Sequence, residues 1–247
     1  MSGTPIIPRA RLGFIIPSSN RMVEPQMSRH APPDVVPHFI RIGMTNRHKR
    51  PLPELLPRIL EAAELLADSK CDITVFQCTG TSMSGGVDMD EHVVAEIARA
   101  TKRPAISTAS AVRAALRALK ANRLVFLSET KQEGHDKKLK YLREAGYEIV
   151  ADKAACLSGT DEYCTMPPRF WFDLALSLKN EKAEAYFISC ANIHSIDVIA
   201  DLEKALQRPV VTSNQAALWC ALRTLGLPDA APELGALFGR TALAAEG

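Results

Sequence analysis

Two cysteines follow short apolar runs and are the residues best suited to chemistry. Cys78 ends the run ITVFQC, and Cys190 ends the run AYFISC. Both runs are too short for a helix and rich in β-branched or aromatic residues, so each predicts a buried strand that stops at a thiol. The similar segments RLGFI at residues 11–15 and RLVFL at residues 123–127 are separated by the same number of residues as the two cysteines. This repetition predicts a duplicated unit.

A pair of thiols, one from each copy, could move protons without a cofactor. A thiolate is a strong nucleophile and a usable base, and a nearby helix start lowers the pKa of a thiol from about 8.5. One thiol could take a proton from one face of a flat carbon centre while the other delivers a proton to the opposite face. A single cysteine would more often be a small buried hydrophobe. Matched positions in a repeat favour function instead, and we interpret Cys71, Cys156, Cys164 and Cys220 as structural.

Three loops beside the predicted strand ends could hold a carboxylate. The segments PSSN, TGTS and TSNQ combine hydroxyl and amide side chains with backbone N–H groups near helix starts, the usual environment for such an anion. The candidate substrate-binding residues in these loops are Pro17, Ser18, Asn20, Thr79, Gly80, Thr81 and Ser213. A small carboxylic acid is therefore the expected substrate.

Other polar residues have competing interpretations. His194 could act as an acid near Cys190 or share a metal ion with it, but a strand end is a poor place for a metal pair spaced at i, i+4, and we expect no metal. Tyr163 could supply an acidic hydroxyl, whereas Glu24 favours a role on a helix face. The basic run RHKR at residues 47–50 is interpreted as a solvated loop rather than a phosphate-binding patch.

Composition limits the classes of partner. The chain of 247 residues has 23% charged residues and a formal net charge of +2, too little to attract nucleic acid or an anionic membrane. No apolar run approaches the ~20 residues that span a bilayer, and the first residues do not resemble a secretory signal. The scattered cysteines lack zinc-finger spacing and suit free thiols in a reducing compartment. We therefore expect a cytoplasmic protein.

Strands and helices are predicted to alternate along the chain. The predicted strands cover residues 12–16, 39–44, 73–78, 104–108, 124–127, 147–151 and 185–190, and a surface segment covers residues 31–37. The predicted helices cover residues 53–67, 89–100, 109–120, 131–145, 168–178, 196–206 and 214–225. Apolar strands alternating with helices indicate an α/β fold, with parallel sheets covered by helices on both faces.

The predicted fold brings the candidate residues together. Ligands of such sheets bind beyond the carboxyl ends of the strands, which places Asn20, Cys78, Cys190 and Ser213 at corresponding sheet edges. If the two halves face each other about a pseudo-twofold axis, both thiols meet in one cleft. The predicted halves are residues 1–120 and 121–226, with residues 227–247 packing back on the first half.

Several motifs resemble a known family. LGFIIPSSN at residues 12–20, SCAN at residues 189–192 and PVVTSNQA at residues 209–216 resemble the maleate cis-trans isomerase and arylmalonate decarboxylase group of the aspartate/glutamate racemase superfamily. The resemblance runs over almost the whole chain. It implies two Rossmann-like halves, each with a parallel four-stranded sheet, and an active site in the cleft between them. It also implies that there is no metal or organic cofactor, and that the protein forms a homodimer or homotetramer.

The same resemblance implies roles for individual residues. Cys78 and Cys190 would be the catalytic pair, with one thiolate adding to an alkene carbon and the other handling the proton. Asn20 would bind a substrate carboxylate, helped by the backbone of Thr79 and Gly80. The family pattern adds three candidate substrate-binding residues near this pair: Ala191, Thr130 and Thr160. Arylmalonate decarboxylases keep only the second cysteine, so the first one favours the isomerase or racemase branch.

The sequence departs from the maleate isomerase pattern after the strand in the middle of the chain. Where those enzymes have Thr-Pro-Tyr, this chain has Ser128-Glu129-Thr130, so Thr130 replaces a tyrosine that binds carboxylate. Thr160 falls where a further substrate-binding asparagine is expected. These changes predict weaker binding of a second carboxylate, and a substrate with a neutral or cationic group there.

The leading interpretation is a cofactor-independent isomerase or racemase of a small carboxylic acid. One alternative is an arylmalonate-type decarboxylase, for which Cys190 would suffice. A second alternative is a non-catalytic two-lobed protein that binds small carboxylates. Nucleotide binding is disfavoured because no glycine-rich fingerprint follows either first strand.

Overall fold

Two parallel four-stranded sheets form the framework of the protein. The structure, a computed structural model, describes residues 7–228 and 231–243. The strands are β1 (Ala10–Pro17), β2 (Val35–Ile42), β3 (Ile73–Phe76), β4 (Ala105–Ser107), β5 (Arg123–Ser128), β6 (Glu148–Ala154), β7 (Ala185–Ile188) and β8 (Val210–Thr212). One sheet has the order β2-β1-β3-β4 and the other β6-β5-β7-β8. The shared order confirms the predicted α/β fold of two similar parallel halves.

Helices cover the faces of both sheets. The α-helices of the described residues are α1 (Val23–His30), α2 (Leu52–Asp68), α3 (Thr79–Ser82), α4 (Gly86–Thr101), α5 (Thr108–Ala118), α6 (Gln132–Glu144), α7 (Thr160–Thr165), α8 (Pro168–Leu176), α9 (Ile199–Leu206) and α10 (Ser213–Thr224). Short 3-10 turns lie at Asn46–His48, Ile196–Val198, Pro232–Leu234 and Ala236–Gly239. The strands β3, β7 and β8 are buried along their whole length, as expected for strands covered on both faces.

The second strand differs from its prediction. Residues 31–37 contain three prolines and were expected to be irregular surface chain, but β2 begins at Val35 and includes Pro37, which pairs in register with Leu12. β2 is an edge strand of its sheet. An edge strand tolerates proline because only one of its sides must make ladder hydrogen bonds.

The two halves are joined by helices α5 and α10, which pack against each other. Each helix follows the last strand of its sheet and starts with a capping box, Ser107 with Ser110 and Thr212 with Gln215. Residues 213–223 of α10 are all buried, so this helix is part of the core on every side rather than a surface helix. The carboxyl ends of the strands in the two sheets therefore come together.

The C-terminal segment contacts the second half of the chain. Gln215 donates from Nε2 to the carbonyl of Leu234 at 2.6 Å, and the amide of Ala236 donates to Glu203 Oε2 at 2.8 Å. Residues 227–247 were predicted to pack on the first half, whereas these two hydrogen bonds join the described part of the segment to the second half. The segment is held there because the Glu203 carboxylate of α9 and the Gln215 amide of α10 form hydrogen bonds with its backbone.

A buried carboxyl group lies where helices of the two halves meet. Asp90 of α4 is fully buried, 3.9 Å from Arg113 of α5, and its Oδ2 accepts a 3.4 Å hydrogen bond from the Tyr141 hydroxyl of α6. Burial raises the pKa of Asp90 to about 6, although Ser107, Arg113 and Tyr141 oppose the shift. The charged form is thus disfavoured in the folded protein.

We expect Asp90→Asn to stabilise the protein at neutral pH. A carboxyl with a raised folded-state pKa adds stability below its unfolded pKa, and this contribution is lost as the pH rises through about 6. The substitution should gain at most about 3 kcal/mol at pH 7 and almost nothing near pH 4. Thermal melts of both proteins from pH 4 to 7 measure this, with Asp68→Asn at an exposed position as control. An equal difference at every pH would contradict the prediction.

Within the described residues, no helix combines the length and the apolar composition required to cross a membrane.

Candidate active site

Both cysteines line one cleft between the two halves. The cleft has a volume of about 780 Å³ and lies at the carboxyl ends of the strands. Cys78 follows β3 and Cys190 follows β7, the corresponding strands of the two sheets. Each cysteine is less than one-tenth exposed. The structure therefore brings the two thiols together in a partly enclosed space.

The surroundings of Cys78 contain groups that favour its thiolate. The Cys78 thiol donates to Thr81 Oγ1 at 3.1 Å, and the backbone of Thr81 also contacts the sulfur. Burial raises the pKa of Cys78, whereas Thr81 and the nearby ammonium group of Lys138 oppose this rise. A thiolate formed here would find both hydrogen-bond donors and a cation.

Cys190 has a strained backbone that several hydrogen bonds hold in place. Its φ of 119° is rare for a residue with a side chain and costs about 1–3 kcal/mol. The amide of Cys190 donates to Ser213 Oγ at 3.0 Å, and the amide of Asn192 donates to Cys190 Sγ at 3.3 Å. The carbonyl of Ala191 accepts from Asn20 Nδ2 at 3.0 Å and from Asn214 Nδ2 at 3.2 Å. These contacts fix the direction of the thiol.

Asn20 has an amide whose orientation is fixed. Its Oδ1 accepts from the amides of Met22 and Val23 at 2.9 Å, where α1 begins, and its Nδ2 donates to Ala191. The side chain lines the cleft. Since an amide nitrogen has two hydrogens, one donor remains for a ligand. Arg41 donates to the carbonyl of Asn20.

Buried amides connect the two sides of the cleft. Gln77 donates to Asn214 Oδ1 at 2.8 Å, Asn214 donates to Gln26 Oε1 at 2.5 Å, and Gln26 donates to the carbonyl of Ile193 at 2.9 Å. All three side chains are buried. Gln77 and Gln26 were not predicted from the sequence, although a polar side chain directly before a strand-end cysteine is a signal that could have indicated Gln77.

A buried ion pair lies in the wall of the cleft beside Cys190. Lys138 of α6 donates to both carboxylate oxygens of Glu129, at 2.9 and 2.6 Å, and the two side chains are 5% and 9% exposed. Both residues line the cleft. The Glu129 carboxylate also reaches the Cys190 thiol, and burial followed by this negative charge raises the pKa of Cys190 well above its ordinary value.

Helix α7, which was not predicted, brings a phenol to the same wall. Tyr163 hydrogen-bonds Thr130, and burial, followed by the nearby Glu129, raises the pKa of Tyr163 to about 12. Its hydroxyl is therefore a hydrogen-bond donor rather than an acid at neutral pH. Thr130, Thr160 and Tyr163 all line the cleft. Tyr163 thus lies beside Thr130, the residue that by the family resemblance takes the place of a tyrosine.

The other predicted site residues divide into two groups. The candidates that line the cleft with the two cysteines are Pro17, Asn20, Thr79, Gly80, Thr81, Thr130, Thr160 and Ala191. Ser18 and Ser213 do not line it. The carbonyl of Ser18 accepts from Arg41, while Ser213 is fully buried and accepts a 2.9 Å hydrogen bond from Thr79. Ser213 therefore positions residues of the site and does not face a ligand.

Further candidates from the sequence have structural partners. His194 Nε2 lies 3.0 Å from the carbonyl of Cys164 and its Nδ1 3.5 Å from Asp197, so it does not serve Cys190. Glu24 pairs with Arg41 on the helix face. Among residues 7–228 and 231–243, no group of three or more His, Cys, Asp or Glu side chains is arranged to hold a metal ion.

The basic run at residues 47–50 lies closer to the site than expected. Lys49 and Arg50 are exposed, in agreement with a solvated loop, but they also border the cleft.

This architecture defines a class: α/β proteins of two similar halves in which each half contributes a cysteine to a shared cleft. A family model for arylmalonate decarboxylase matches residues 12–238. The chain therefore belongs to the arylmalonate decarboxylase family, which confirms the resemblance noted in the sequence.

Characterised relatives are similar over nearly their whole length. The maleate isomerase of Nocardia farcinica is 26% identical, over 92% of this chain and 94% of that protein. The arylmalonate decarboxylase of Bordetella bronchiseptica is 21% identical, over 92% of this chain and 95% of that protein. Both activities thus occur among the relatives.

Solved structures show the same fold. A cysteine-to-alanine variant of the maleate isomerase Iso from Pseudomonas putida S16, with maleate, has a TM-score of 0.86 and 22% identity, covering 94% of this chain and 98% of that one. A cysteine-to-serine variant of the Nocardia farcinica enzyme carries a covalently bound succinylcysteine intermediate. That structure has a TM-score of 0.86 and 25% identity, covering 93% of this chain and 98% of that one.

Proposed function

We propose that the protein is a cofactor-independent isomerase of a small unsaturated carboxylic acid, and that Cys78 and Cys190 carry out the reaction. The observation that carries this proposal is the pair of thiols, one from each half, in one cleft. A decarboxylase of the family would need only Cys190. The maleate isomerases among the relatives, one of them with a cysteine adduct, support the isomerase.

The substrate carboxylate binds on the side of the cleft formed by the first half. Asn20 offers its remaining amide hydrogen there. The backbone amides of Thr79 and Gly80 precede the first intrahelical bond of α3, which runs from Ser82 to the carbonyl of Cys78. Amides at such a position are free to donate to an anion. A carboxylate bound to these donors would lie next to the Cys78 sulfur.

The two thiols have different surroundings and take different roles. Burial raises the pKa of both thiols, and both also lie near Lys138 and Glu129. At Cys78, Thr81 and Lys138 oppose the rise more strongly than Glu129 adds to it. At Cys190, Glu129 adds to the rise more strongly than Lys138 opposes it, which favours the protonated thiol. Cys78 is therefore the nucleophile and Cys190 the acid. The adduct on a cysteine of the Nocardia relative agrees with a covalent step of this kind.

The reaction proceeds through addition, rotation and elimination. The Cys78 thiolate forms a bond to one alkene carbon, and the π electrons move onto the carboxylate to give an enediolate. The Cys190 thiol gives its proton to the other carbon, so the former double bond becomes single and rotates. Cys190 then takes a proton back, the double bond re-forms, and the Cys78 thiolate leaves. Hydrogen-bond donors aimed at the enediolate stabilise the charge that develops.

Proton NMR in heavy water tests this function. With a panel of cis-alkene mono- and dicarboxylic acids, we expect conversion to the trans acid and deuterium at the alkene carbon that Cys190 protonates. Carbon dioxide release from arylmalonates without either change would establish the decarboxylase instead. Thermal stabilisation by these acids without any chemistry would indicate a binding protein.

Two further predictions concern the cellular context. We propose that the protein works in the cytoplasm, because the cysteines of the described residues are free thiols, including the two in the cleft, and a reducing compartment preserves them.

The resemblance to the family also supports a homodimer or homotetramer. Sedimentation velocity at several protein concentrations measures that state.

A further inference from the structure

A carboxylate of the protein itself occupies the wall of the cleft that the second half forms. Glu129 comes directly after β5, at a position that departs from the pattern of the maleate isomerases. It touches Cys190 and is held by two hydrogen bonds from Lys138. The group is thus fixed beside the reacting atoms, where the far end of a short substrate must lie.

The charges of this wall disfavour a second substrate carboxylate. Lys138 is the buried cation of the wall, and Glu129 already neutralises it at 2.6 Å. Lys137 also lines the cleft, but it is exposed and pairs with Glu133. Thr130 and Tyr163 are uncharged, with the pKa of Tyr163 raised to about 12. A diacid would place a negative charge against the buried Glu129 carboxylate, and charges near such a group interact more strongly than they do in bulk water.

The same charges also disfavour a cationic group. The Glu129 carboxylate is paired through both of its oxygens, so a substrate ammonium group would bring in a positive charge with no counter-ion of its own. A buried charge without a partner is costly. Of the two substrate groups that the sequence allows at this position, the cationic group is therefore less suitable than the neutral one.

A neutral carboxamide matches the hydrogen-bonding groups of the wall. Its NH2 can donate to the Glu129 carboxylate, which has more acceptor sites than the two hydrogen bonds from Lys138 use. Its carbonyl can accept from the Tyr163 hydroxyl or from the third hydrogen of Lys138. An ester or alkyl group would lack the donor, and a carboxylate would repel.

We propose that the substrate is a short unsaturated half-amide, with one carboxylate held by Asn20 and a carboxamide held by Glu129, Lys138 and Tyr163. This inference rests on the proposed isomerase, because it places the double bond between Cys78 and Cys190. It assigns Glu129 and Lys138 as the residues that determine which group binds at the far end of the cleft.

Binding of saturated probes tests the inference without any turnover. Isothermal titration calorimetry with the wild-type protein is expected to show that succinamate binds at least tenfold more tightly than succinate. In Glu129→Gln the wall gains the free charge of Lys138, so the preference should reverse toward succinate. In the double variant Glu129→Gln/Lys138→Met, which removes both charges and avoids a buried unpaired lysine, the preference should be weak.

A matched control lies on α8, away from the cleft. Asp173 pairs with Arg169 through an exposed i, i+4 contact, and Asp173→Asn should keep the preference for succinamate. Equal or tighter binding of succinate by the wild-type protein, or no binding of either probe, would overturn the half-amide proposal.

Turnover separates this inference from the proposed function. The wild-type protein should convert maleamate with a kcat/KM at least tenfold above that for maleate. Faster conversion of maleate would end the half-amide proposal and leave the isomerase standing. Conversion of neither acid, together with tighter binding of succinamate, would end the isomerase and leave the recognition of the amide standing.

Discussion

Cys78→Ser and Cys190→Ser are each expected to reduce isomerisation about a thousandfold or more. A serine hydroxyl is a much weaker acid than a thiol and is hardly ionised without a base beside it. Loss of a positioned proton-transfer group alone typically costs ~10²–10⁴ in rate, and loss of the nucleophile removes the covalent route. Initial rates of alkene isomerisation by NMR measure the effect.

The two cysteine variants are distinguished by mass spectrometry of the intact protein. In Cys190→Ser, water can protonate the enediolate slowly but no thiolate remains to take the proton back, so the adduct on Cys78 should accumulate, whereas Cys78→Ser should form none. Cys156→Ser at an exposed position should keep full activity and serves as the control. Full activity in Cys78→Ser would contradict the assignment of the nucleophile.

Asn214→Ala is expected to destabilise the fold by about 3 kcal/mol. The substitution removes a fully enclosed amide that accepts from Gln77 and donates to Gln26 and to the carbonyl of Ala191. Each buried polar group left without its partner costs about 1–3 kcal/mol. For a chain of this size the melting temperature should fall by about 10 °C.

A calorimetric melt measures that fall, with Asn122→Ala at an exposed position as control. Because Asn214 also holds Ala191 next to Cys190, kcat should decrease at temperatures where the variant is still folded. A variant with unchanged melting temperature would show that the amide network contributes little to joining the halves.

The strands and both thiols were predictable because burial leaves a clear pattern. The runs before Cys78 and Cys190 are apolar and short, and their repetition indicated two equivalent sheets. The rule that ligands bind at the carboxyl ends of parallel strands then gave one cleft. These inferences depend on local sequence and on fold geometry, and both are readable from the chain.

Contacts between distant elements were not predictable. Lys138 belongs to a strongly charged helix, in which lysines are ordinarily solvated, yet it is buried because its ammonium group reaches Glu129 at the end of β5. Tyr163 lies in a short helix with weak periodicity, which gave no indication of where its hydroxyl would point. Edge position, not local sequence, allows Pro37 in β2.

The positive φ at Cys190 means that this position has two conflicting requirements, a backbone conformation that suits glycine and a side chain that carries sulfur. Glycine would relax the backbone there at no steric cost, but it would remove the sulfur. Cysteine supplies the sulfur and keeps the strain. As long as the protein must turn over its substrate, residue 190 therefore cannot be replaced to increase thermal stability. Stabilising substitutions must occur away from the reacting groups, for example at Asp90.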